Sequence, residues 1–173
     1  MNSEKFLLDA NSLIAPSKNF YPFDFAMGFW EHMKRIMKSG NVLLLDVVCD
    51  EITKGGDKLT TWLKEAIKNT PCKITVQDPN IIQKYSIIQN HINSCNLYKQ
   101  QAILEWADVS VADPWLIATA MAKNYVIITF EDHGNPQPQQ KSKRIKIPDI
   151  ADYFNVKYYD LFYFMRKMNF LWK

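Results

Sequence analysis

Three short apolar runs constrain the fold of this chain more than any other feature. Residues 6–8 (FLL), 42–45 (VLLL) and 126–129 (VIIT) carry no polar side chain before their last position. A half-solvated strand would alternate, so runs of this kind suit strands covered on both faces, as in parallel sheets. Between them the apolar residues fall at helical spacing. Phe25, Phe29, Met33, Ile36 and Met37 predict a helix over about 25–37, with Gly40 as its terminator. Residues 47–53 begin another, Gly55 and Gly56 break it, and Asp57 caps a helix over roughly 58–68. A weak strand is expected at 73–76, followed by mostly helical sequence over 80–106. Asp113 as N-cap and Pro114 as first helical residue open a helix to Lys123, which Asn124 ends.

The stretch HGNPQPQQKSKRIK at 133–146 reads as an exposed loop. It leads to a short strand or extended piece around Ile145 and Ile147, a short helix, a strand near 156–158 and a last helix. Strands alternating with helices predict a three-layer α/β/α sandwich around a central, mainly parallel sheet. With no repeat and no linker, residues 1–173 form one expected domain, long enough to bury a core.

Composition narrows the class. Hydrophobic residues at 47% and charged residues at 23% are ordinary for a globular chain, which excludes a disordered or fibrous one. No apolar run approaches bilayer length, and the opening MNSEKFLLDANSLIA, broken by Asp9, does not read as a signal peptide. A cytoplasmic location is the expectation. Cys49, Cys72 and Cys95 are too far apart for a zinc knuckle and odd in number, so they read as inert thiols. The net charge of +3 tolerates a polyanionic partner without indicating one.

Acids stand where ligands bind in open α/β sheets, beyond the carboxyl ends of the strands. Asp9 follows the first run, Glu51 lies in the turns after the second, and Glu131 follows the third; Asp113 opens the helix before that third run. Should the four converge, their repulsion calls for a cation. An all-oxygen donor set suits Mg²⁺ or Mn²⁺ over zinc. Such a metal activates water against a phosphodiester with no protein nucleophile. No Ser-His-Asp set, Gly-rich phosphate loop or Cys-His pair offers another chemistry. Each acid also has an ordinary use: Asp9 in an Asx turn, Asp113 as N-cap, Glu51 as a solvated charge, Glu131 as one of two loop acids with Asp132.

In order and spacing these segments resemble the PIN-domain nucleases. LLDANSLI at 7–14 is similar to that family's opening strand with its first acid. VVCDEITKGGD at 47–57 is similar to the segment with the second acid, on Glu51 in place of Asp50. ADPWLIATAMAKNYVIITFED at 112–132 is similar to the third and fourth motifs run together. YPFDFAMGFW at 21–30, the DPW triplet and IKIPDIADYFNVKYYDLF at 145–162 resemble a toxin-like branch found beside antitoxin genes, similar to the VapC-type ribonucleases. The resemblance covers nearly the whole chain. It implies a metal-dependent endoribonuclease, the toxin of a toxin–antitoxin pair, with Asp9, Glu51, Asp113 and Glu131 as the metal-binding and catalytic acids. The fourth position departs from the pattern, being Glu where the family usually has Asp, and Asp132 is an alternative or additional ligand. Asp108 is a spare acid, for a second metal or merely a loop.

Around these acids, Asn11 and Thr129 are expected to orient Asp9 and the Glu131 loop. Lys141, Lys143, Arg144 and Lys146 are expected either to contact an RNA backbone or to sit on a solvated loop. His133 stands close enough to Glu131 in sequence to assist at a phosphate, though a lone loop histidine is more often unused. His32 and His91 read as surface residues. The tryptophans read as packing residues before base-stacking ones. An exposed apolar face on the C-terminal helix would suit a homodimer or a small antitoxin. The alternative function is a catalytically silent PIN-like module that binds RNA or a protein.

Overall fold

A computed structural model describes residues 4–170. Five strands form one sheet: β1 (Phe6–Leu8), β2 (Val42–Leu45), β3 (Lys73–Ile74), β4 (Val126–Ile128) and β5 (Tyr158–Tyr159). Their order is β3-β2-β1-β4-β5, and every pairing is parallel. The three apolar runs are the three central strands, with Phe6 opposite both Val42 and Val126 and Leu8 opposite Ile128. All their residues are buried, as expected of strands covered on both faces.

Nine α-helices among the described residues cover the sheet. After β1 come α1 (Asn11–Ala15), a π-helical turn (Pro16–Phe20) and α2 (Met27–Lys38). Following β2 are α3 (Asp46–Thr53) and α4 (Lys58–Ala66), then, after β3, α5 (Pro79–Ser94), α6 (Gln100–Trp106) and α7 (Asp113–Lys123). The chain closes with α8 (Ile147–Tyr153) before β5 and α9 (Leu161–Lys167) after it. Right-handed crossovers put α1–α4 on one face, because β1, β2 and β3 step one way across the sheet. The step back from β3 to β4 puts α5–α7 on the other, and the step on from β4 to β5 adds α8 there. The fold is therefore the expected three-layer α/β/α sandwich.

Local chemistry explains most boundaries. Asp57 accepts from the Thr60 amide (3.0 Å) and caps α4. Asn124 adopts the left-handed conformation (φ 55°) that stops α7 before β4. Two expectations shift. The piece around Ile145 and Ile147 is not a strand, since Ile147 and Pro148 open α8. Asp113 is the first residue of α7, with Ala112 as the cap, so its carboxylate is released from capping.

The core is aromatic on the α2 and α9 side. Phe164 of α9 meets Phe6 edge-on at 5.3 Å, and Trp30, 1% exposed, stacks on Phe23 and donates to the Tyr21 carbonyl at 2.7 Å. Trp106 and Trp115 are buried as well, whereas Trp172 lies outside the described residues. His32 and His91 are half-buried and ring-packed, His32 on Phe170 and His91 on Tyr153, not the free surface groups expected. Cys49 and Cys72 are buried free thiols, and burial pushes Cys49 up to about 12. Among the described residues no helix is long and apolar enough to cross a membrane.

Candidate metal centre at the switch point of the sheet

Strand order reverses direction beside β1. The chain leaves its carboxyl end toward β2 on one face, while β4 on the other side is reached over the opposite face. The crevice between such crossovers is where open α/β sheets bind ligands. Asp9 sits at its floor, one residue past β1 and 3% exposed. Its amide continues the ladder by donating to the Ile128 carbonyl (3.0 Å). Its carboxylate is held from the next strand, where Thr129 Oγ1 donates to Asp9 Oδ2 at 2.9 Å. The same hydroxyl accepts from the Glu131 amide (3.1 Å), so one side chain fixes both acids.

Asn11 does not share this role: it is exposed at the start of α1. Ser12 is the residue that ties that turn down, its buried hydroxyl donating to the Ile128 carbonyl at 2.7 Å. A Ser three residues past an acid at a strand end was the available signal for this tether.

The other acids act on Asp9 or on one another. Asp113, half-buried at the start of α7, feels Asp9, Glu131 and Glu51, and Asp9 feels Glu131 and Glu51. Burial pushes the Asp113 carboxyl up first, and the three negative neighbours carry it to about 8 against the pull of Lys146. Burial also raises Asp9, to about 6, with Glu131 and Glu51 adding and the Thr129 hydrogen bond opposing. Glu51, on exposed α3 surface, is raised by partial burial and held back by Lys54. Asp50 and Asp132 are not among the leading causes of either shift. Asp108 is occupied locally, accepting from the Ser110 amide at 2.8 Å.

Glu131 is the most constrained of the four. Its Oε2 accepts from the Ile147 amide at 2.9 Å, and its Oε1 is paired with the Lys146 ammonium. As the side chains stand, no group of three or more His, Cys, Asp or Glu among the described residues is close enough to hold a metal ion. The acids share a field without forming a closed cage. The donor set still fits a hard divalent cation: it is all carboxylate, burial first and negative neighbours second raise two of its members, and a lysine ammonium already serves as stand-in cation.

The basic residues divide. Lys146 and Arg144 line a cavity of about 280 Å³ together with Asp113 and Glu131. Lys141 and Lys143 line a neighbouring hollow of about 810 Å³ that also reaches Arg144 and Lys146. A third hollow, about 770 Å³ and edged by Lys5, Lys84, Lys123 and Lys157, is at the opposite end of the strands and away from the acids. His133 also turns away. It pairs with Asp149 (3.1 Å), which accepts from the Gly134 and Asn135 amides and so pins the basic loop to α8.

Residues 6–171 match the family described as Domain of unknown function (DUF4411). The chain belongs to this family. No curated protein matches the sequence of this DUF4411 member.

Proposed function

We propose that this DUF4411 protein is a PIN-like, Mg²⁺- or Mn²⁺-dependent endoribonuclease of the cytoplasm, acting as the toxin of a toxin–antitoxin pair. The observation that carries the reading is that Thr129 ties Asp9 to the Glu131 backbone at the strand ends while Glu131 and Asp113 line one cavity, at the switch point of the sheet. Separate elements carry these acids, and burial together with neighbouring carboxylates raises Asp9 and Asp113, a cost that a purely structural arrangement has no reason to keep.

In this reading Asp9 and Asp113 are the principal ligands, Glu51 completes the open side, and Glu131 lends the fourth carboxylate. Thr129 holds Asp9 in one orientation, so that acid needs no reorganisation. A bound divalent cation supplies a Lewis acid for the phosphoryl oxygen and a more acidic water. Arg144 and Lys146 line the cavity of Asp113 and Glu131, with Lys141 and Lys143 in the neighbouring hollow, and an RNA backbone held by them would meet less repulsion from the cluster. A small antitoxin partner and a homodimer belong to the same proposal.

The engagement of Glu131 by Lys146 and the Ile147 amide favours a second reading, a silent PIN-like module that binds RNA or protein without cleaving. Substituting Asp9→Asn separates the two. The expected result is loss of Mn²⁺-dependent cleavage of RNA with an unchanged circular-dichroism spectrum. Equal cleavage by wild type and variant would refute the metal-site reading, and no cleavage by the wild type at any Mn²⁺ concentration would favour the silent module.

A further inference from the structure

Lys146 is placed unlike the other lysines of its loop. It is the last residue before α8, and the next amide, that of Ile147, is already bonded to Glu131 Oε2. The backbone at this point is therefore fixed on the acid. From there the side chain reaches Glu131 Oε1, in a pair whose side chains are only 28% and 14% exposed. It also draws the Asp113 carboxyl downward, so its positive charge is felt by more than one member of the cluster. Upstream, the Asp149 contacts to Gly134 and Asn135 anchor the other end of the loop. Held at both ends, this loop delivers an ammonium into a crevice of carboxylates.

We propose that Lys146 is the built-in counter-ion of the acid cluster, and that a divalent cation must displace its ammonium to bind. The inference rests on the metal-site reading above and adds a residue that sets how tightly the site takes metal. Two cations drawn to the same carboxylates repel one another, so the lysine weakens metal binding while it stabilises the metal-free protein. Its flexible stem permits the exchange, because an ammonium on four methylenes can swing to the cavity rim without moving the backbone. Once released there, beside Arg144, the same charge faces the side from which a phosphate would approach.

Titration calorimetry with MnCl₂ tests this on the wild type, Lys146→Met, Lys146→Gln and Lys146→Arg, with folding checked by circular dichroism. Lys146→Gln can still donate to Glu131 but carries no charge, so it separates counter-ion from positioning, and it serves if the methionine variant does not fold. The expected result is Mn²⁺ binding about tenfold tighter in the Met and Gln variants and near wild type in Lys146→Arg. Unchanged or weaker binding in the Gln variant, with the wild type binding Mn²⁺, overturns the counter-ion role and leaves the metal site standing. Absence of Mn²⁺ binding in all four proteins overturns both.

Discussion

Replacing Asp113 with asparagine is expected to stabilise the metal-free protein, by an amount that grows with pH. A carboxyl held at about 8 in the folded chain, against the ordinary aspartate value of 3.8, is ionised more readily after unfolding than before. Below pH 4 both states are protonated and the group contributes nothing. As pH rises from 4 to 8 the unfolded chain releases its proton and the folded chain resists. The wild type then loses about 1.4 kcal/mol per pH unit, a ceiling of about 6 kcal/mol by pH 8. Asp113 keeps partial solvent access, and screening by that water brings the expected penalty to about 2 kcal/mol. Asparagine has the same shape and no charge, so Asp113→Asn should recover that amount. For a chain of this length the gain is roughly 4–8 °C in Tm at pH 8, shrinking toward zero at pH 4. The assay is thermal unfolding of both proteins from pH 4 to 9 in chelator. Added Mn²⁺ should reverse the order, since it stabilises the wild type by mass action and the variant scarcely at all. A variant no more stable than wild type at pH 8 in chelator would refute the claim that burial and neighbouring carboxylates hold Asp113 above its ordinary value.

Two further substitutions test the supports of the site and the sheet. Thr129→Val removes the hydroxyl that donates to Asp9 and accepts from the Glu131 amide; a loss of about 1–3 kcal/mol is expected in urea unfolding at pH 7. An Asp9 carboxyl titrating higher than in the wild type, read by NMR, should accompany it. Asn124→Ala forces a left-handed residue without the asparagine preference and should cost about 1 kcal/mol, whereas Asn124→Gly should be close to neutral. Equal losses in the two variants would show that the side chain, not the backbone conformation, matters there.

Local sequence determined the secondary structure nearly everywhere it could. The strands at 6–8, 42–45 and 126–128 are legible because a parallel sheet buried on both faces leaves no room for polar residues in them. Asp57 and Asn124 are legible because capping is a contact with the nearest backbone. Such signals depend on neighbours a few residues away, and one misreading, Asp113 as a cap, was a matter of a single position. As the first helical residue and not the cap, Asp113 lines a cavity with Glu131.

The site itself was legible as a set of candidates and not as an arrangement. Thr129 was legible as a strand-end hydroxyl beside the acids, but its direct bond to Asp9 across 120 residues, and the tether from Ser12 to the Ile128 carbonyl, depend on β1 and β4 lying side by side. Likewise, 131 and 146 lie at opposite ends of a polar loop that reads as solvated, and only the docking of α8 brings them together. By itself the sequence determined which segments become strands and which acids end them, because burial periodicity and caps are local. Only the tertiary structure decided that Asp9, Glu51, Asp113 and Glu131 feel one another, and that a lysine stands among them. The order β3-β2-β1-β4-β5 is set by how the crossovers pack on the two faces, and that packing depends on contacts between residues far apart in the chain.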